Sequence, residues 1–195
     1  KNNQDRVAYS YSREALLMVV ADGMGGHMHG EIAAQIAVQT LTDQFQKMAK
    51  PRLDDPMAFL ADATTRAHYA INDYAVEQDL LEIPHTTSVA AVIQDNTAYW
   101  AHVGDSRLYL FSDGSLLART EDHTAVAQLV RNGIISEEEA GTHPERNKVS
   151  NCLGGYVPPQ VECNAPIPLH DADTMLLCTD GIWGMVSIPE VAALL

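Results

Sequence analysis

The feature that most restricts what this chain can fold into is an aspartate set where an apolar run stops, and it recurs. Leu17-Met18-Val19-Val20-Ala21 runs into Asp22-Gly23, Leu176-Leu177-Cys178-Thr179 into Asp180-Gly181, and His102-Val103-Gly104 into Asp105. Apolar runs of this length, bounded by glycine, read as buried strands. An aspartate at a strand tip is held rigidly. Glycine beside it lets the backbone approach a ligand, so that even the Gly23 carbonyl is open to a cation. Asp5, in front of the first strand, adds another carboxylate. Carboxylates gathered without cationic partners repel one another, and a divalent ion relieves the repulsion. Hard oxygen ligands with few histidines select magnesium or manganese over zinc or copper.

Strands are expected at 7–12, 16–21, 88–94, 98–103, 108–111 and 174–178. Asp95-Asn96 and Asp113-Gly114 lie between such runs, and both pairs tolerate the positive φ of two-residue hairpins, so much of the sheet should be antiparallel. Two long helices carry Ile32, Ile36, Leu41 and Phe45, then Met57, Leu60, Ile71 and Ala75, at helical spacing. Pro51 and Pro56 mark the break between them. A third helix is expected over 123–132, ending at Gly133. Ser136 caps a short fourth, and Ser187 with Glu190 has the spacing of a capping box. Residues 141–168 read as loop with a short strand or helix inside.

Acidic residues outnumber basic ones 26 to 12, a formal charge of −14, so nucleic acid and anionic membrane surfaces are excluded as partners. No apolar run reaches the roughly 18 residues that span a bilayer. The three cysteines, Cys152, Cys163 and Cys178, lack the spacing of a disulfide framework or a zinc knuckle. That suits a reducing cytoplasm. Nothing in 195 residues demands a second core.

Taken in order, Asn3-Gln4-Asp5, Ala21-Asp22-Gly23-Met24-Gly25-Gly26-His27, Thr86-Thr87-Ser88, Val103-Gly104-Asp105-Ser106-Arg107, Asp122-His123-Thr124, His143-Pro144-Glu145-Arg146-Asn147 and Cys178-Thr179-Asp180-Gly181 resemble the metal-dependent (type 2C) serine/threonine protein phosphatases, in their bacterial branch. The resemblance covers nearly the whole chain. It implies a four-layer α/β/β/α sandwich with two antiparallel sheets. It also implies hydrolysis of phosphoserine and phosphothreonine by attack of a metal-bound hydroxide at a centre of two Mn²⁺ or Mg²⁺ ions, with a third, weaker site.

In that family pattern Asp22 bridges the two metals, the Gly23 carbonyl completes one sphere and Asp180 binds the other ion. Asp105 joins Asp180 at the third site, and Asp5 supports the metal-bound water. Gln4 stands where the family commonly has glutamate. His27, which titrates near working pH and follows the metal loop, is the candidate general acid. The implied partners are phosphorylated proteins and a cognate Ser/Thr kinase. Residues 1–195 read as a single catalytic domain trimmed at both ends, with a flap-like insertion within 122–147; a phosphate-binding arginine upstream and an Asp-Asn pair downstream are expected outside it. The competing functions are a catalytically silent phosphoprotein-binding module and a phosphatase of small metabolites.

Several residues read as structural rather than chemical. Asp113-Gly114 is a turn, His27 and His29 are cap or surface residues rather than a zinc pair, and Glu31 favours the helix N-terminus. Arg107 forms an ion pair with Asp105, Thr86, Thr87 and Ser88 are sheet residues rather than nucleophiles, and Cys178 belongs to the core.

Overall fold

The computed structural model describes residues 3–24 and 29–194. Antiparallel ladders join β1 (Asp5–Tyr11), β2 (Ala15–Met24), β4 (Ser88–Gln94) and β5 (Thr97–Val103) into the centre of one sheet. The two-residue strands β3 (His85–Thr86), β8 (Glu162–Cys163) and β9 (Ile167–Pro168) extend it, β3 beside the end of β2 and the others along β5. A second sheet has the order β10-β6-β7, from β6 (Arg107–Ser112), β7 (Ser115–Arg119) and β10 (Thr174–Cys178). Both expected hairpins form, with φ of 52° and 50° at Asp95 and Asn96 and 48° and 73° at Asp113 and Gly114.

The helices α1 (Gly30–Met48) and α2 (Pro56–Glu77) cover the outer face of the first sheet. Asp55 starts α2 by accepting hydrogen bonds from the N–H groups of Met57 and Ala58, both at 3.0 Å, and Pro56 fills a first-turn position whose N–H has no helical partner. Ala33, Ala34, Ala37, Ala63 and Ala67 are buried where the helices meet the sheet, and their small side chains permit close approach. Between the sheets lie Val20, Val89, Ala91, Trp100, Leu108 and Leu110. Tyr109, Phe111 and Cys178 face outward from the second sheet onto Trp183, Ile188 and Val191, which belong to or adjoin α5 (Asp180–Trp183) and α6 (Ile188–Ala192). These three apolar seams separate four layers, α/β/β/α. Cys178 is in the core as expected, 2% exposed.

The remaining helices, α3 (Ala125–Arg131) and α4 (Glu137–Thr142), sit between β7 and β8 and bury little besides Val126. Capping boxes form at Ser136 with Glu139 and at Ser187 with Glu190.

Two departures from the sequence reading have plain causes, and so does the exposure of one face of β1. Strand β2 does not stop at Ala21 but continues through Asp22 to Met24, because Asp5 and β3 offer it further partners. β7 was invisible because Leu116 and Leu117 are both partly exposed, so its pattern neither alternates nor stays apolar. Val7, Tyr9 and Tyr11 lie on the face of β1 that continues the inter-sheet surface of Val20 and Met18, yet remain exposed because the second sheet ends at β10. No helix among the described residues is long and apolar enough to cross a membrane.

Candidate metal centre

Four carboxylates arrive at one end of the sandwich from four different places in the chain. Asp5 opens β1 and stands directly opposite Asp22 in the β1–β2 ladder. Asp105 lies in the turn that carries the chain from β5 to β6, and Asp180 is the first residue of α5, separated from β10 only by Thr179. Two strands that each end in Asp-Gly could bring Asp22 and Asp180 together by lying side by side. They do not: β2 is flanked by β1, β3 and β4, and β10 by β6 in the other sheet. The two aspartates meet across the gap between the sheets.

Their mutual effect appears in their acidities. Asp22 is raised to about 7, first by burial, then by the charges of Asp5 and Asp180, a hydrogen bond with Asp5, and the charge of Asp105. Asp105, 6% exposed, is raised to about 6 by burial and then by Asp122 and Asp180. Among the described residues no lysine or arginine forms an ion pair with any of the four. Arg107, expected to pair with Asp105, instead grips Asp122 with both ends of its fork, at 2.8 and 2.7 Å, and lies 3.7 Å over the Trp183 ring. A residue two positions along a turn cannot present two oxygens squarely to a guanidinium, whereas Asp122 in the facing segment can.

The backbone around Asp22 is drawn tight. The Gly23 N–H donates to the Gln4 carbonyl at 3.2 Å, and a β-carbon at Gly23 would collide with the Gly30 carbonyl. Only glycine at both positions lets β2 and the start of α1 meet backbone to backbone. Gln4 donates its side-chain amide to Glu31 at 3.1 Å, and this hydrogen bond is the main reason the Glu31 carboxyl is shifted below its ordinary range. Glu31 therefore does more than favour the helix N-terminus. His27 lies outside the described residues.

Several supporting residues hold positions that the sequence did not assign to them, Thr86 and Thr87 having been read only as sheet residues. Thr86 and Thr87 both bind the Asp22 peptide, Ser106 joins Thr87, Thr179 reaches Asp5 at 3.4 Å, and the Trp183 indole N–H donates to the Asp105 carbonyl at 3.0 Å. Hydroxyls and an indole have no spacing signature, and only the fold shows what they touch.

A different cluster, His102, His123 and Glu162, is close enough in space to share an ion. Its hydrogen bonds argue against one. The Gly104 N–H and the Asn151 amide donate to His123 Nδ1 at 3.1 and 2.8 Å, and Asn151 is oriented by its own exchange with the Gln160 backbone. Neutral His123 therefore carries its proton on Nε2, which donates to Glu162 at 3.1 Å, and no lone pair is left for a cation.

Comparison with known proteins agrees with this geometry. The chain is 36% identical over 181 residues to the serine/threonine phosphatase stp of Listeria monocytogenes, covering 92% of this chain and 71% of that one. It superposes on the crystal structure of the Mycobacterium tuberculosis serine/threonine phosphatase PstP/Ppp with a TM-score of 0.86 at 33% identity, covering 98% of this chain and 78% of that one. The structure of the PstP catalytic domain in complex with two manganese ions matches at 0.80 and 31%, covering 98% and 77%. The sequence profile of the protein phosphatase 2C family matches residues 1–193, and the chain belongs to that family.

Proposed function

We propose that this chain is a metal-dependent protein phosphatase that hydrolyses phosphoserine and phosphothreonine in proteins. The observation that carries the reading is the convergence of Asp5, Asp22, Asp105 and Asp180 with no lysine or arginine paired to them among the described residues; burial, and then the charges of the neighbouring carboxylates, raises Asp22 to about 7. All their donors are carboxylate oxygens, the set that suits Mg²⁺ or Mn²⁺. The manganese in the PstP structure supports the same choice.

In this reading Asp22, the Gly23 carbonyl and Asp180 hold two ions, and Asp105 with Asp180 serves a third, weaker one. Asp5 would support the water that such ions bind. The bound ions supply a nucleophile from water near neutral pH and offset the charge of the phosphoryl oxygens. Asp22, directly opposite Asp5, would have to be ionised to hold a cation. His27 protonates the departing serine or threonine oxygen.

Residues 1–195 act as one catalytic domain, and 122–147 form a flap that meets substrate proteins; the exposed surface of α4 supports this. A Ser/Thr kinase supplies the substrates. The free thiols of Cys152, Cys163 and Cys178 support a cytoplasmic setting. The silent-module alternative is not favoured, since the relatives above are named as phosphatases. The test is hydrolysis of a phosphothreonine peptide with Mn²⁺, with EDTA, and by Asp22→Asn and Asp180→Asn. Turnover that needs both the metal and the two aspartates supports the reading, and turnover indifferent to either sinks it.

A further inference from the structure

Thr87 lies between β3 and β4, fully buried, with no atom positioned to contact substrate. It nevertheless touches three structures that build the metal centre. Its Oγ1 accepts the Asp22 N–H at 3.1 Å while its own N–H donates to the Asp22 carbonyl at 2.9 Å, so both polar groups flanking the Asp22 Cα are held by one residue. The same Oγ1 shares a hydrogen with Ser106 Oγ at 2.6 Å, and Ser106, 1% exposed, directly follows Asp105. Its methyl occupies the space beside Gly104, where an added β-carbon would lie 2.6 Å from Thr87 Cγ2. Gly104 has φ of +103°, a conformation that suits glycine, and it directly precedes Asp105.

We infer that Thr87 is a positioning residue: its hydroxyl pins the strand end that carries Asp22 to the turn that carries Asp105 and so sets the spacing of the two carboxylates. The inference rests on the metal-centre reading above. Without the hydroxyl, a buried N–H and a buried serine hydroxyl lose their partner together, and the side-chain bridge between the two ligand-bearing segments is gone, leaving only the Thr87 backbone and methyl contacts. Outer-shell partners of this kind change metal affinity about 10–100-fold when removed.

The hydroxyl and the methyl can be tested apart. Thr87→Val keeps the shape and deletes the hydroxyl; Thr87→Ser keeps the hydroxyl and deletes the methyl against Gly104. Each variant is titrated with MnCl₂ by calorimetry and melted in EDTA. The expected result is Mn²⁺ affinity reduced at least about tenfold in Thr87→Val. In Thr87→Ser the affinity stays at the wild-type level although the metal-free protein melts lower. Affinity that simply follows melting temperature across both variants overturns the inference, because any buried threonine would behave so.

If Thr87→Val does not fold, Ser106→Ala decides, since it breaks the same bridge from the other side: weakened Mn²⁺ binding supports the pin, and wild-type binding overturns it. Wild-type protein that takes up no Mn²⁺ is a separate outcome, which removes the metal-centre reading and the inference with it.

Discussion

Asp5 and Asp22 stand directly opposite each other in the β1–β2 ladder, two carboxylates where a sheet ordinarily avoids like charges. Such a pair costs stability unless a proton or a cation lies between them, and it sets how the metal-free protein responds to pH.

Asp22 and Asp105 have folded-state pKa values of about 7 and about 6, against 3.8 for an unperturbed aspartate. A raised carboxylate pKa means that the folded state holds the proton more tightly than the unfolded chain. The resulting stability is complete below about pH 4 and is lost as pH rises through 6 and 7. In EDTA, these two groups should make the melting temperature fall between pH 5 and pH 8. Added Mn²⁺ should raise it most at pH 8, where both carboxylates are ionised. A flat metal-free profile over this interval would contradict the burial and mutual proximity of these carboxylates.

Asp22→Asn removes one charge from the cluster while keeping the shape of the side chain. In EDTA at pH 8 the variant should melt above wild type. With Mn²⁺ the order should reverse, and hydrolysis should fall by more than the roughly 10–100-fold typical of an outer-shell residue. Paired thermal melts with and without metal check both halves.

Gly30→Ala sets two effects against each other. Alanine is the better helix former, by up to about 1 kcal/mol in a helix interior and by less at the first helical position, which Gly30 occupies. Its methyl, however, would lie 2.8 Å from Gln4 Nε2 and 2.9 Å from the Gly23 carbonyl carbon. Overpacking costs about 1–3 kcal/mol, and here part of what must yield is backbone, so the collision should win. Urea denaturation in EDTA should show net destabilisation, and Mn²⁺ affinity should drop because the Gly23 carbonyl is displaced. A variant more stable than wild type would show that the two segments have room to part.

Arg107→Ala leaves Asp122 largely buried, with a side chain 14% exposed, and without its guanidinium. Breaking a buried pair in this way costs about 3 kcal/mol at the lower end of the usual range, and some remaining contact with water places the loss near that end. The unneutralised Asp122 charge should also hold Asp105 protonated to higher pH. Arg107→Lys should recover only part of the stability, since an ammonium cannot reproduce the two-point contact. A loss under about 1 kcal/mol in urea would place the pair among ordinary surface bridges.

Much of this protein could be read before any coordinates. The bounds of β4 and β10 coincide with the expected 88–94 and 174–178, because each is an apolar run stopped abruptly by polar or turn-forming residues. Capping at Ser136 and Ser187 and positive φ at Asp95-Asn96 are local chemistry that no distant contact needs to supply. The metal-ligand candidates were visible for the same reason: an aspartate after a buried run, next to glycine, is unusual wherever the chain later goes.

What tertiary structure alone decided is who faces whom. Asp22 and Asp180 approach from separate sheets, Arg107 chooses Asp122 over its near neighbour, and a buried Thr87 joins Asp22 to Ser106. Local sequence governs φ, ψ and burial within a few residues. The partner of a buried charge or hydroxyl is set by the packing of whole layers, and that depends on contacts between residues far apart in the chain.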